Sequence, residues 1–249
     1  MIISHAKRLV ILRPWKTASS TISARLAACC ENPYDRFYAF NPFLNRVIHQ
    51  HLTYADFRAL PESRLGYAVA AFVRNPYDRA YSGFIQLQRD QLNQPGATYP
   101  SQWARELVLR QLSENASQLT AAAGDFDRWM ALVEEWQVYE TGRNTSFPLH
   151  PAHYWTHENG RQTVDFIGRV EAFEADFIRL CRTFDVGDAG TANENVTIDP
   201  SRTRQFGYKY PHLMNARSIA RIEQLFRDDF SLFGYERVSD HEAAFRNQS

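Results

Sequence analysis

Side chains suited to gripping phosphate gather at two places in this 249-residue chain. The first is Lys16-Thr17-Ala18-Ser19-Ser20-Thr21, which sets one ammonium and four hydroxyls within six residues. Residues 1–30 carry Lys7, Arg8, Arg13, Lys16 and Arg25 and no acid, so an anion is expected there. The second is Arg74-Asn75-Pro76-Tyr77-Asp78-Arg79-Ala80-Tyr81-Ser82, where a forked guanidinium and a hydroxyl make a pair suited to a terminal phosphate. Each stretch also has a plainer reading. The first reads equally as a Ser/Thr-capped helix with a solvated lysine, and the second as an Arg74–Asp78 ion pair beside a helix-surface serine. A third candidate is His51 in His49-Gln50-His51, because an imidazole exchanges protons near neutral pH and suits the base that deprotonates an alcohol. Taken alone, a histidine is as readily a packing or capping residue.

These residues need elements to hold them. Leu9-Val10-Ile11-Leu12 is an apolar run of strand length, and after the polar cluster Ile22, Leu26 and Cys29 or Cys30 recur at helix spacing, which is the order in which a parallel α/β unit starts. Residues 46–49 read as a second strand, followed by a helix from Thr53 with Asp56 as a partial capping box. Residues 67–73 are nearly all apolar, as in a strand covered on both faces. Asn75 then serves as N-cap and Pro76 as first helical residue, with positions 74, 78 and 82 on one side of the helix, away from its apolar face. Helices are expected over about 101–118 and 125–139, a last strand over 164–168, and helices over 173–184 and 215–230. The expected fold is α/β, a single domain over 1–249 with a central parallel sheet flanked by helices. Residues from about 86 to 160 form a helical insertion contributing to the acceptor site, and 240–249 a frayed tail.

Composition excludes several classes. Lys+Arg and Asp+Glu are 28 each, so nothing global draws the chain to nucleic acid, and any basic site is local. No apolar run is long enough for a membrane span, and no signal-peptide layout is present in the sequence, which with three cysteines (Cys29, Cys30, Cys181) points to a reducing, cytoplasmic setting. The stretch from Arg13 to Thr21 has no glycine, so the large loop that encircles a nucleotide β-phosphate is not encoded and ATP is a poor ligand.

Together, the Lys16–Thr21 and Arg74–Ser82 stretches resemble the two donor-binding motifs of the sulfotransferases that use 3′-phosphoadenosine 5′-phosphosulfate (PAPS), a P-loop-NTPase-like fold. Phe166-Ile167-Gly168-Arg169-Val170-Glu171 and Asp229-Phe230-Ser231-Leu232-Phe233-Gly234-Tyr235 resemble later stretches of the Golgi-type carbohydrate enzymes. His49-Gln50-His51 is similar to the His-x-His segment of the uronosyl 2-O-sulfotransferases, where the second histidine is the base. The resemblance implies that Lys16, Thr17, Ala18, Ser19, Ser20 and Thr21 hold the 5′-phosphosulfate and that Arg74 and Ser82 hold the 3′-phosphate. By the same resemblance Lys16 meets charge on the leaving phosphate and His51 takes the acceptor proton. The chain departs from the pattern in that Trp15 stands between Pro14 and Lys16 and Ser20-Thr21 reverses the usual order.

Residues 202–221 form another basic run without acids, whose start resembles the loop that closes over the donor, so Arg202 and Arg204 are expected near a phosphate. Glu171 reads as a buried structural partner of Arg169, the favoured reading, or as a substrate contact. The stretch Phe147 to Trp155, with His150 and His153, is a candidate lining for an acceptor cleft, while Trp103, Trp129, Trp136 and Trp155 suit either sugar stacking or core. The acceptor expected is a hydroxyl of a carbohydrate or a glycosylated or other small molecule, and no metal is required. A nucleotide kinase of related fold and a nucleotide-binding module without catalysis are the alternatives. Oligomeric state is open.

Overall fold

The computed structural model describes residues 1–31, 33, 39–48, 50–86, 121–122, 124–138, 149–187, 210 and 213–240. They divide into two compact units that alternate along the sequence. The first holds the described parts of Met1–Arg74 and Ala152–Val196, the second those of Asn75–Thr98, Arg105–Pro151 and Thr197–Ser249.

The first unit is built on a four-stranded sheet of β1 (Ile2–Ser4), β2 (Leu9–Leu12), β5 (Ala68–Val73) and β8 (Phe166–Arg169), side by side in that order. Strands β2, β5 and β8 are parallel, with Leu12 opposite Ala71 and Val73 opposite Arg169. Alternation along each strand sends side chains to two separate cores. Ile3, Val10, Leu12, Val69 and Ala71 pack with Ile48, Leu52, Phe57 and Trp155 on one face. Ile2, Leu9, Ile11, Ala70, Phe72 and Phe166 pack with Ile22, Leu26, Phe177 and Leu180 on the other. Burial on both faces is why the strands read as unbroken apolar runs. Gly168 is required by that packing, since a Cβ there would enter the Phe72 ring.

Helix α1 (Ser19–Leu26) follows β2, and α5 (Phe173–Phe184) follows β8 through a short 3₁₀ turn at Val170–Ala172. Helix α2 (Tyr54–Ala59) carries the expected capping box in full: Thr53 Oγ1 accepts from the Asp56 amide, and the Asp56 carboxylate accepts from the Thr53 amide.

Two expectations change. The sheet is mixed, because β1 runs antiparallel along β2, with Ile3 opposite Val10. The strand read at 46–49 is β4 (Arg46–Ile48), and it pairs with β3 (Ala39–Asn41) in a small separate antiparallel sheet instead of entering the central one. A further hairpin, β6 (His157–Glu158) and β7 (Arg161–Gln162), turns on Asn159 and Gly160, both at positive φ (51° and 74°).

The second unit is helical in its described part: α3 (Pro76–Gln86), α4 (Phe126–Val138), α6 (Ala216–Leu225) and α7 (Arg227–Phe233). The helix read over 215–230 is two helices, broken at Phe226, with Gly234 closing the second in a left-handed conformation. Helix α3 packs against both α4 and α6. It therefore has no broad solvent face, and Tyr77, Asp78, Arg79 and Ser82 are all buried. The side carrying positions 78 and 82, read as lying away from the apolar face, is thus buried as well, and the plainer reading of Ser82 as a helix-surface serine is corrected. The helix over 101–118 lies outside the described residues. No helix among the described residues is long and apolar enough to cross a membrane.

Candidate functional site: the carboxyl edge of the central sheet

Strands β2, β5 and β8 are parallel, so their carboxyl ends share one edge, the edge at which open α/β sheets bind ligands. The turn leaving β2 there is Arg13-Pro14-Trp15-Lys16-Thr17-Ala18. Lys16 and Ala18 hold φ of 66° and 59°, the left-handed region that costs a non-glycine residue about 1–2 kcal/mol. Left-handed Ala18 is followed at once by helical Ser19, an alternation that turns successive N–H groups toward one concave side. The chain thus makes a phosphate-type turn without glycine. Ala18 is the N-cap of α1 and has no side-chain acceptor to offer the first-turn amides, and the first turn carries no acid.

The hydroxyls of this turn divide. Thr17, fully buried, donates its proton to the Pro14 carbonyl at 2.8 Å, so it braces the turn and its hydroxyl proton is already committed. Its expected part in holding phosphate is set beside this bond to Pro14 and stays a proposal. Ser19 and Thr21 are buried, while Lys16 and Ser20 are half-exposed at the start of α1.

The five basic side chains of residues 1–30 divide as well. Lys7 pairs with Asp185 at 2.5 Å, and Arg8 lies over the Tyr67 ring, 5.6 Å from its centroid. Both precede β2. Arg25 is buried, bonds both oxygens of Glu174 at 2.9 and 2.8 Å, and stacks 4.0 Å from the Phe177 centroid. Arg13 and Lys16 are the two in the turn at the carboxyl edge.

Two residues from elsewhere in the first unit meet that turn. Arg74, at the end of β5, places Nη1 3.5 Å from the Lys16 carbonyl oxygen, so its guanidinium reaches the turn after β2. His51 places Nδ1 2.7 Å from the Arg13 carbonyl oxygen. A carbonyl only accepts, so Nδ1 carries the hydrogen and the neutral ring has its lone pair on Nε2. That is the tautomer a base needs.

Sequence reasoning counted Arg13 as local charge only. It is 3% exposed, and besides holding His51 through its carbonyl it points Nη2 at the Ser19 carbonyl, 3.4 Å away. The available signal was an arginine placed between an apolar strand and a turn.

Other expected residues fall elsewhere. Ser82 is buried within α3, in the second unit. Asp78 Oδ1 accepts the Tyr210 amide at 3.0 Å. Arg169 and Glu171 are exposed, and the Arg169 amide donates to Asp176. The His150 carbonyl accepts from Arg79, and His153 packs edge-on against Tyr154. Trp129 and Trp155 are core residues. His49, Trp103, Arg202 and Arg204 lie outside the described residues. Burial beside Cys29 pushes the Cys30 thiol up to about 12, which keeps it protonated and unreactive at neutral pH.

A family model described as the sulfotransferase family matches residues 1–236. The chain belongs to the sulfotransferase family. No curated protein and no solved structure matches it. Membership makes the chain a transferase of sulfuryl groups, and the match takes in the turn after β2, Arg74 and His51 within one family domain.

Proposed function

We propose that this sulfotransferase takes PAPS as donor and transfers its sulfuryl group to a hydroxyl of a carbohydrate, a glycosylated metabolite or another small molecule. The observation that carries the reading is the convergence at one turn: Arg74 Nη1 at the Lys16 carbonyl and His51 Nδ1 at the Arg13 carbonyl.

The residues present suit such a donor. The amides and hydroxyls from Thr17 through Ala18, Ser19, Ser20 and Thr21 suit a 5′-phosphate, and Lys16 supplies a cation beside it. Arg74, and along the chain Ser82, supply the fork and hydroxyl for the 3′-phosphate that other nucleotides lack. Arg202 and Arg204 are proposed to add charge on that side. His51 accepts the acceptor's proton on Nε2 as the acceptor oxygen bonds to sulfur. Lys16 meets the charge that collects on the oxygen between sulfur and the 5′-phosphate as that bond breaks, and 3′,5′-ADP leaves. The His-x-His placement favours a uronosyl-type carbohydrate acceptor. The three free thiols suit a reducing compartment.

The test is thermal stabilisation by 3′,5′-ADP against ATP with Mg²⁺, then turnover of His51→Ala with labelled PAPS. The reading expects stabilisation by 3′,5′-ADP, little by ATP, and a turnover loss of about 10²–10⁴ in the variant. Preference for ATP points to a kinase instead. Unchanged turnover removes His51 as base.

A further inference from the structure

The turn after β2 holds a tryptophan, Trp15, that the proposed chemistry does not use. The residues around it are pinned through their backbone. The Arg13 carbonyl accepts from His51 Nδ1 at 2.7 Å and the Pro14 carbonyl from Thr17 Oγ1 at 2.8 Å, while the Lys16 carbonyl lies 3.5 Å from Arg74 Nη1. Trp15 itself is only partly buried and belongs to neither core of the sheet. Among the described residues its indole N–H has no acceptor and its ring no aromatic partner. Trp155, by contrast, is 1% exposed within one of those cores. A tryptophan held by its backbone at a ligand-binding edge, with part of its indole open, is a flat surface that needs little ordering when a ligand arrives.

An indole carries no charge, so it adds nothing to a grip on phosphate. Its face suits the C–H face of a sugar or the face of an aryl ring, and its N–H suits a ring hydroxyl. Trp15 adjoins Lys16, the cation proposed to meet the leaving charge. It is also two residues, at most about 7 Å of chain, from Arg13, whose carbonyl holds His51. Adenine stands at the opposite end of the donor from the sulfuryl group, whereas the group that must reach His51 Nε2 is the acceptor. We infer that Trp15 is a specificity-determining residue for the acceptor, a platform on which a ring rests, so that the hydroxyl sulfated is borne by a sugar or phenol ring and not by an open-chain alcohol. The inference rests on the PAPS reading with His51 as base, and adds the acceptor's shape to it.

The test measures kcat and KM with labelled PAPS for a pyranoside (methyl β-D-glucuronide), a phenol (4-nitrophenol) and an open-chain polyol (glucitol), together with the dissociation constant of 3′,5′-ADP, for the wild type, Trp15→Phe and Trp15→Ala. The wild type is expected to sulfate at least one ring acceptor in preference to glucitol. Trp15→Ala is expected to lose roughly tenfold in kcat/KM for that acceptor, chiefly through a raised KM, with 3′,5′-ADP affinity changed less than about twofold. Trp15→Phe, which keeps a flat face, retains most of the activity. Turnover of the glucuronide assigns a sugar ring and turnover of nitrophenol a phenol ring, and either supports the inference. Unchanged kinetics in Trp15→Ala overturn it, as does a matching loss of 3′,5′-ADP affinity, which would make the indole a brace of the donor turn. A wild type that takes glucitol as readily as the rings, or takes none of the three, overturns it too. In each of these cases wild-type binding of 3′,5′-ADP in preference to ATP leaves the donor reading standing, and its absence overturns both. Should Trp15→Ala not fold, Trp15→Leu, which keeps apolar bulk without a flat face, takes its place with the same expected loss.

Discussion

The turns that follow β2 and β5 stand at the same topological position, each leading from the carboxyl end of a parallel strand into a helix, yet they are built in opposite ways. After β5 the turn is relaxed: Asn75 caps α3 with its side chain and Pro76 presets the first helical residue. After β2 it is strained: two non-glycine residues are left-handed and the N-cap is an alanine. A self-capped helix start has spent its acceptor on its own amides, so what the second turn offers a ligand is the Arg74 side chain beside it. A helix start without a side-chain cap leaves amides that a ligand can satisfy, and backbone strain of this kind clusters at functional sites, which is what the proposed donor role for this turn draws on. On the proposed reading, one turn would meet phosphate with backbone and Lys16, the other with a guanidinium.

The largest effect expected from this division is at Lys16. If the strained turn is where charge develops, Lys16→Ala lowers kcat by about 10²–10³ while the affinity for 3′,5′-ADP, held from the Arg74 side, falls far less. Arg74→Ala reverses the pattern, weakening 3′,5′-ADP by roughly tenfold or more with a smaller change in kcat at saturating donor. Steady-state kinetics with titrated PAPS separates the two. A Lys16→Ala variant that loses affinity and keeps kcat would show that the turns do not divide the work.

A smaller effect concerns strain itself. Ala18→Gly frees a left-handed residue of its Cβ and is expected to raise stability by up to about 1 kcal/mol with 3′,5′-ADP binding retained. Asn75→Ala removes a cap and is expected to lower stability by about 1 kcal/mol. Urea denaturation measures both. Opposite signs confirm the contrast between the turns, whereas a destabilised Ala18→Gly would mean that the turn is held by contacts of the methyl group.

The features legible in the sequence were those set by local pattern. The runs at Leu9–Leu12 and 67–73, the Thr53–Asp56 box, the Asn75-Pro76 helix start and the helix over Phe173–Phe184 all follow from periodicity and capping, and the structure forms each of them. What pattern did not give was pairing. Residues 46–48 have strand composition whichever sheet they join, and Ile2-Ile3-Ser4 is too short to show a period, so β4 was assigned no partner and β1 was passed over. The hairpin on Asn159-Gly160 was also passed over: the pair is a standard hairpin turn, but its strands are only two residues each. Residue types singled out Lys16, Arg74 and His51 as candidates, and the structure brings Arg74 and His51 to the backbone of the turn that carries Lys16. They did not reveal that Thr17 is committed to Pro14, that Arg13 holds His51, or that Asp78 holds Tyr210, since each depends on a backbone group that every residue possesses.

The smallest effect tests whether charge is also divided between the two ends of β2. Lys7, before the strand, hydrogen-bonds Asp185 and holds that carboxyl below its ordinary 3.8, the hydrogen bond contributing more than the Coulombic attraction. Asp185 is almost wholly exposed, so the pair is screened and its worth is small. Because the folded carboxyl binds its proton less readily than the unfolded one, the contribution is fully present above 3.8 and is lost as pH falls through the lower folded value. Asp185→Asn is therefore expected to lower the melting temperature slightly at pH 7, with the gap from wild type closing as pH drops below 3.8 and shrinking at high salt. Because Lys7 lies at the strand end opposite the turn proposed to hold phosphate, 3′,5′-ADP affinity at pH 7 is expected to stay unchanged in Asp185→Asn. A shift in that affinity would show that the basic residues before β2 act on the donor site through their field, and that the two ends of the strand are not electrostatically separate.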